Sequence, residues 1–90
     1  MDFPFHDPEH VAVFTCVHVL EHNDNICYVY HDEEDGAWQF LCKQEHRTSD
    51  GRIISLKEAF LIDSSIGGLA ELPLGCGVMR ENKLSPWERV

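Results

Sequence analysis

The sequence predicts an α+β domain in which a small antiparallel sheet carries two short helices on one face. Three observations lead to this fold class. Three segments rich in β-branched and aromatic residues are separated by short polar turns. Two segments with helical apolar spacing follow them, and a short apolar segment precedes the polar tail. The 90 residues favour one domain with a small core.

The first half of the chain predicts a three-strand antiparallel meander. Residues 1–10 form an N-terminal arm that Pro4 and Pro8 keep irregular. Residues 11–20 are apolar on both faces, which is typical of a covered central strand. Residues 26–31 and 37–43 are the next two strands, joined by an acidic turn that Gly36 closes. The short connections favour antiparallel pairing of consecutive strands.

The second half predicts two helices and one more strand. Residues 44–52 form a polar loop, after which Ser55 and Glu58 have the spacing of a helix capping box. A second, shorter helix begins near Asp63 and ends before Pro73. Residues 78–81 are the C-terminal strand. Residues 82–90 form a tail that we expect to dock on the core through Trp87. Residues 1–90 are predicted to form a single α+β domain.

The acidic balance limits the classes of partner. Sixteen acidic and seven basic residues give a formal net charge of −9, which repels phosphate backbones and anionic lipid. Nucleic-acid and membrane binding are therefore not expected. A protein partner with a basic face is compatible, although acidity of this kind also serves solubility alone. The N-terminus lacks the basic and apolar regions of a signal peptide, which predicts a cytoplasmic protein.

The four cysteines and six histidines do not form a standard metal motif. The closest pattern is Cys16-x-His18 on one strand, to which a neighbouring strand adds His31 or Cys27. The favoured interpretation is a buried thiol beside a hydrogen-bonded histidine, so no metal or cofactor is predicted. Reactive cysteines need electropositive surroundings, which this acidic chain does not offer. We therefore identify no catalytic residue and predict that the protein is not an enzyme.

Two features are candidates for partner binding. The turn Asp32, Glu33, Glu34 and Asp35 lacks the ligand spacing of a calcium loop, and it is either a solvated turn or part of an acidic docking surface. Trp87 is either docked on the core or an anchor for a partner.

Several segments together resemble one family, the immunity-protein-33-like proteins, which are small bacterial domains long of unknown function. The resemblance covers residues 11–89, and its most specific parts are the Gly36, Trp38, Gln39 and Phe40 cluster and the terminal Trp87. The matching segments are CVHVLEHNDNICYVYHDE, GAWQFLC, LIDSSI, LPLG, Arg80-Glu81 and Pro86-Trp87-Glu88. Ser64 departs from the family pattern, which has proline after Asp63.

This resemblance implies an α+β fold and a non-enzymatic immunity role. Such a protein binds and neutralises a toxin that carries a basic face. The alternative is a small regulatory or ligand-binding domain, with a pocket between sheet and helices lined by Trp38, Tyr28 and Phe40. The sequence leaves the oligomeric state open.

Overall fold

A computed structural model describes residues 3–90 as an α+β fold built on one six-stranded mixed sheet. The strands are β1 (Ala12–Cys16), β2 (Tyr28–His31), β3 (Trp38–Leu41), β4 (Gly51–Ser55), β5 (Cys76–Met79) and β6 (Glu88–Arg89). The α-helices are α1 (Val17–Glu21) and α2 (Leu56–Ile62), and two 3₁₀ helices span Thr48–Asp50 and Ser64–Leu69.

The strand order is β4-β1-β3-β2-β5-β6, with β1 and β3 parallel and every other neighbouring pair antiparallel. The predicted antiparallel meander is therefore wrong, because β3 lies between β1 and β2. The reason is the segment that follows β1: residues 17–27 contain helix α1 instead of a tight turn. This longer connection lets β2 lie beyond β3, while Phe14 of β1 pairs with Gln39 of β3.

Several element boundaries also differ from the sequence prediction. The predicted first strand, residues 11–20, ends at Cys16. A strand that the prediction missed, β4, lies against the outer edge of β1, where Val13 pairs with Ile54. The short strand β6 lies in the predicted tail. The predicted second helix is a 3₁₀ helix, and it contains Gly67 and Gly68, which disfavour a regular α-helix.

The start of helix α2 is confirmed as predicted. The Ser55 hydroxyl accepts a hydrogen bond from the backbone N–H of Glu58 at 3.1 Å. The Glu58 carboxylate accepts one from the backbone N–H of Ser55, also at 3.1 Å. Each side chain thus satisfies a backbone donor that the first helical turn leaves unpaired.

The hydrophobic core lies on one face of the sheet, under α2, the Ser64–Leu69 helix and the N-terminal arm. Phe5 of the arm is buried and packs edge-on against Trp38, Phe40 and Phe60, with ring centroids 5.3–6.5 Å apart. The arm therefore closes the gap between sheet and helix. Within residues 3–90, the helices are too short or too polar to cross a membrane.

Candidate functional site

The second face of the sheet lies opposite the hydrophobic core, and the residues on it form two continuous rows across the strands. Strand pairing and alternation place these side chains on one side. The first row runs across five strands through Ile53, Phe14, Gln39, Tyr30 and Gly77. The second row runs through Leu41, Tyr28 and Met79. We call this surface the open sheet face.

Apolar side chains on the open sheet face are exposed to solvent. Ile53 is 66% exposed, Phe14 45% and Met79 41%. Tyr28, Tyr30 and Leu41 between them are half-buried. An apolar area that crosses several strands and has polar residues at its border is typical of a protein-binding surface.

A shallow groove of about 460 Å³ connects the open sheet face to the acidic turn. Phe14, Gln39 and Leu41 line the groove, and Asp32 and Asp35 border it. Two of the four acidic residues that the sequence singled out therefore lie at the edge of the apolar surface. Arg47 and Thr48 also border the groove.

The acidic turn is held in place by its own side chains. One Asp32 oxygen accepts a hydrogen bond from the backbone N–H of Glu34, and one Asp35 oxygen accepts from that of Ala37, both at 2.9 Å. Gly36 has a φ of +72°, which a residue with a side chain adopts only under strain. The turn therefore presents its carboxylates from a fixed backbone, and Glu33 and Glu34 are exposed.

Trp87 does not border this groove. Its ring is half-buried and packs against the core, and the Arg80 guanidinium lies 4.1 Å from the ring centroid. The role of Trp87 as a partner anchor stays a prediction.

The three side chains expected to line a ligand pocket do not lie together. Trp38 and Phe40 are buried in the core. Tyr28 pairs with Leu41 and lies on the open sheet face. The ring of Trp38 is stacked on His31 at 3.8 Å between centroids, so that side of the indole is already covered.

A second cluster combines two cysteines and two histidines. Cys16, His18, Cys42 and His46 each offer one ligand atom, and these four atoms lie within 4.8 Å of one another. The two Sγ atoms are 3.7 Å apart. Cys42 Sγ is 3.4 Å from His18 Nδ1 and 3.3 Å from His46 Nε2.

The parallel pairing of β1 and β3 brings this cluster together. Parallel strands end at the same edge of a sheet, so Cys16 at the end of β1 lies beside Cys42, which follows the last residue of β3. His18 lies in the first turn of α1, directly after β1. The chain then leaves β3, passes through His46 and enters β4, where Gly51 pairs with Cys16. The loop therefore crosses the end of β1 and carries His46 with it.

Local electrostatics differ between the buried and exposed members of the cluster. Burial raises the pKa of the Cys42 thiol to about 11, and the nearby Cys16 and Asp24 act in the same direction. Cys42 is thus a neutral thiol at pH 7. A hydrogen bond from the backbone N–H of Arg47 lowers the pKa of Asp50, and the nearby imidazoles of His18 and His46 lower it further. Asp50 therefore places a negative charge close to both histidines.

Sequence reasoning identified half of this cluster. It singled out Cys16 and His18 and considered His31 or Cys27 as further ligands, but it favoured a buried thiol beside a hydrogen-bonded histidine over a metal site. His31 instead binds the Leu72 carbonyl oxygen through Nδ1 at 2.8 Å, on the core side of β2. Cys42 and His46 were missed. Their Cys-x-x-x-His spacing, following the Cys-x-His of the first strand, was the available signal.

No protein-family model, curated protein or solved structure matches this chain.

Proposed function

We propose that this chain is a non-enzymatic binding protein of the immunity type, which neutralises a toxin in the cytoplasm by covering a basic face of it. The contact surface is the open sheet face together with the acidic turn, residues 32–35. The observation that carries the proposal is the continuity of these two parts: Asp32 and Asp35 border the groove that Phe14 lines. The sequence resemblance to immunity-protein-33-like proteins points to the same class.

The proposed contact has an apolar centre and a charged border. Ile53 and Phe14 supply exposed apolar area, which stabilises a complex when a partner removes it from water. Glu33 and Glu34 are exposed at the turn, and with a net charge of −9 they favour a partner with lysine or arginine around an apolar patch. The partner we propose is therefore a protein with a basic rim, not an anionic ligand.

The experiment uses the product of the gene adjacent to this one as the toxin probe. The toxin is expressed under an inducible promoter, with and without this protein, and growth and direct binding are measured. The key variant is Ile53→Glu, which places a charge in the first row of the open sheet face, on the edge strand β4 and beside Phe14. The matched control is Leu61→Glu, because Leu61 on α2 is 71% exposed and lies outside that face. We expect Ile53→Glu to lose protection and binding, while Leu61→Glu keeps both.

Electrostatics provide a second measurement on the same pair of proteins. Glu34→Lys in the acidic turn should slow association, and added NaCl should slow wild-type association in the same way. The control is Glu71→Lys, an identical charge change away from the groove. Equal behaviour of Ile53→Glu and Leu61→Glu, or no effect of salt on association, would rule out the proposed surface.

A further inference from the structure

We propose that Cys16, His18, Cys42 and His46 form a binding site for one zinc ion. The site lies where β1 and β3 end, and none of its four ligands lines the groove of the proposed partner face, although their sequence neighbours Thr15, Leu41 and Arg47 do. It requires that Cys16 Sγ, His18 Nδ1, Cys42 Sγ and His46 Nε2 all turn toward one point.

Three of the distances between the ligand atoms, all of them involving Cys42 Sγ, match those around tetrahedral zinc. With Zn–S bonds of about 2.3 Å and Zn–N bonds of about 2.0–2.1 Å, a tetrahedron separates two sulfurs by about 3.8 Å and a sulfur from a nitrogen by about 3.5 Å. The two sulfurs here are 3.7 Å apart. The Cys42 sulfur is 3.4 and 3.3 Å from the two imidazole nitrogens. Hydrogen bonds between pairs of these side chains do not by themselves require all four ligand atoms to point at one position.

The ligand types also favour zinc. Two thiolates and two imidazoles in a tetrahedral arrangement suit Zn²⁺ and do not suit calcium or magnesium, which take oxygen ligands. Binding replaces the two thiol protons with the cation, so the two thiolates and two neutral imidazoles give a site with no net charge. With all four positions supplied by the protein, the site is of the structural kind, which leaves no open position for a substrate.

The four ligands differ in burial, which leaves the site open to solvent on one side and protected on the other. Cys16 and Cys42 are buried, His18 is half-buried and His46 is exposed. Zinc therefore enters from the side of His46 and comes to rest against the two sulfurs. Asp50, whose carboxylate lies near both imidazoles, adds attraction for a cation at this end of the sheet.

A bound zinc ion joins segments that are distant in sequence. It connects the end of β1, the first turn of α1, the end of β3 and the loop that carries His46. Because the ion binds only the folded arrangement of these segments, it stabilises the native state by mass action. Oxidation of Cys16 and Cys42 to a disulfide would remove both thiolate ligands, so the test is made under reducing conditions.

The test measures zinc directly on the full chain, stripped with EDTA and kept reduced with a phosphine. Zinc sulfate is titrated against a chromophoric chelator, and cobalt(II) is used as a spectroscopic probe. We expect one zinc per chain, a rise in the melting midpoint with zinc, and thiolate-to-cobalt charge-transfer absorption of a tetrahedral complex. His46→Gln should weaken zinc binding by more than the roughly 10–100-fold typical of losing a residue that only supports a ligand.

Matched variants separate a site from loose association. His46 and His10 are both exposed, so His46→Gln and His10→Gln should both fold, and only the first should weaken zinc binding. Cys42 and Cys27 are both buried, so Cys42→Ser is compared with Cys27→Ser, and only the first should reduce the charge-transfer band. Equal zinc affinity in His46→Gln and His10→Gln would overturn the proposal, as would wild-type protein that shows no thiolate band with cobalt.

Discussion

Arg80 links its own segment to three other parts of the chain, at Ile26, at residues 63–65 and at Trp87, through one buried guanidinium group. Its Nε and Nη2 donate to the Ile26 carbonyl oxygen at 3.0 and 2.8 Å. Nη2 also donates to Asp63 at 2.6 Å, and Nη1 donates to the Ser65 hydroxyl at 3.0 Å. The guanidinium carbon Cζ lies over the Trp87 ring, 4.1 Å from its centroid. Since both charges of the Asp63–Arg80 pair are almost fully buried, losing either one leaves the other without compensation.

We therefore expect Asp63→Asn to lower the free energy of unfolding by about 3 kcal/mol, the lower end of the range for breaking a buried ion pair. Urea unfolding at pH 7 measures this. The control is Glu81→Gln, which breaks the solvent-exposed Lys43–Glu81 pair and should leave the midpoint nearly unchanged. Similar losses in the two variants would show that the Asp63 contact contributes no more than a surface pair.

The lowered pKa of Asp63 also predicts how its contribution to the stability of the fold depends on pH. Burial by itself raises the pKa of Asp63, but hydrogen bonds from Ser65 and the contact with Arg80 outweigh it and lower the pKa below its usual value. A carboxyl with a lowered folded-state pKa stabilises the protein fully above its unfolded pKa of about 3.9. That stabilisation is lost as the pH falls through the folded-state pKa.

The measurement is the urea midpoint of the wild type and of Asp63→Asn between pH 7 and pH 2. We expect the two curves to converge as the pH falls below about 4. A constant gap between them across this range would contradict the assignment of a lowered pKa to Asp63.

At the scale of elements, the β2–β3 hairpin depends on one glycine. Gly36 has a φ of +72°, and a Cβ built on it meets no atom within 4 Å. Gly36→Ala therefore tests backbone strain alone, and we expect a loss of about 1 kcal/mol in the free energy of unfolding. Gly68 is the matched control, because it also has open space but no positive φ. Gly68→Ala should change stability by less than about 0.5 kcal/mol, and equal losses would contradict the strain argument.

Local signals predicted some elements and not their arrangement. The capping box of Ser55 and Glu58 fixed the start of α2, and the acidic turn with Gly36 fixed the β2–β3 hairpin, because both depend on residues close in sequence. Strand β4 was missed because the segment before Ile53 is polar and lies at the edge of the sheet, where exposure removes the apolar signal. The parallel β1–β3 pair has no local signature, since its partners are far apart in the chain.

At the scale of the whole molecule, one error in topology explains the incomplete prediction of the Cys/His cluster. An antiparallel β1–β2 pair puts Cys16 next to residues of β2, which is why His31 and Cys27 were considered. The parallel β1–β3 pair puts Cys16 next to Cys42 instead. Cys42 and His46 could therefore be found only with the correct strand order, although their spacing in sequence was visible.

Burial across the whole chain predicts which thiol reacts first. Cys16, Cys27 and Cys42 are buried, while Cys76 is half-buried at the start of β5. Arg89 donates to Cys76 Sγ at 3.3 Å, which places a positive charge beside this sulfur. We expect Ellman's reagent to label one thiol quickly in the native reduced protein and four in denaturant, because reaction requires access to solvent.

Cys76→Ser should abolish the fast phase of this reaction, and Cys27→Ser should leave it unchanged. A fast phase that survives in Cys76→Ser would show that one of the buried thiols becomes exposed by local opening.

The position of β3 between β1 and β2 also sets an order of events in folding. Pairing β2 with β3 closes only a short turn, whereas β1 pairs with a strand more than twenty residues further along the chain. Closing the longer loop costs more conformational entropy. The hairpin should therefore form early and provide the template on which β1 assembles, followed by β4 on its outer edge. Mutations in the hairpin should then slow folding, while mutations in β4 should mainly accelerate unfolding.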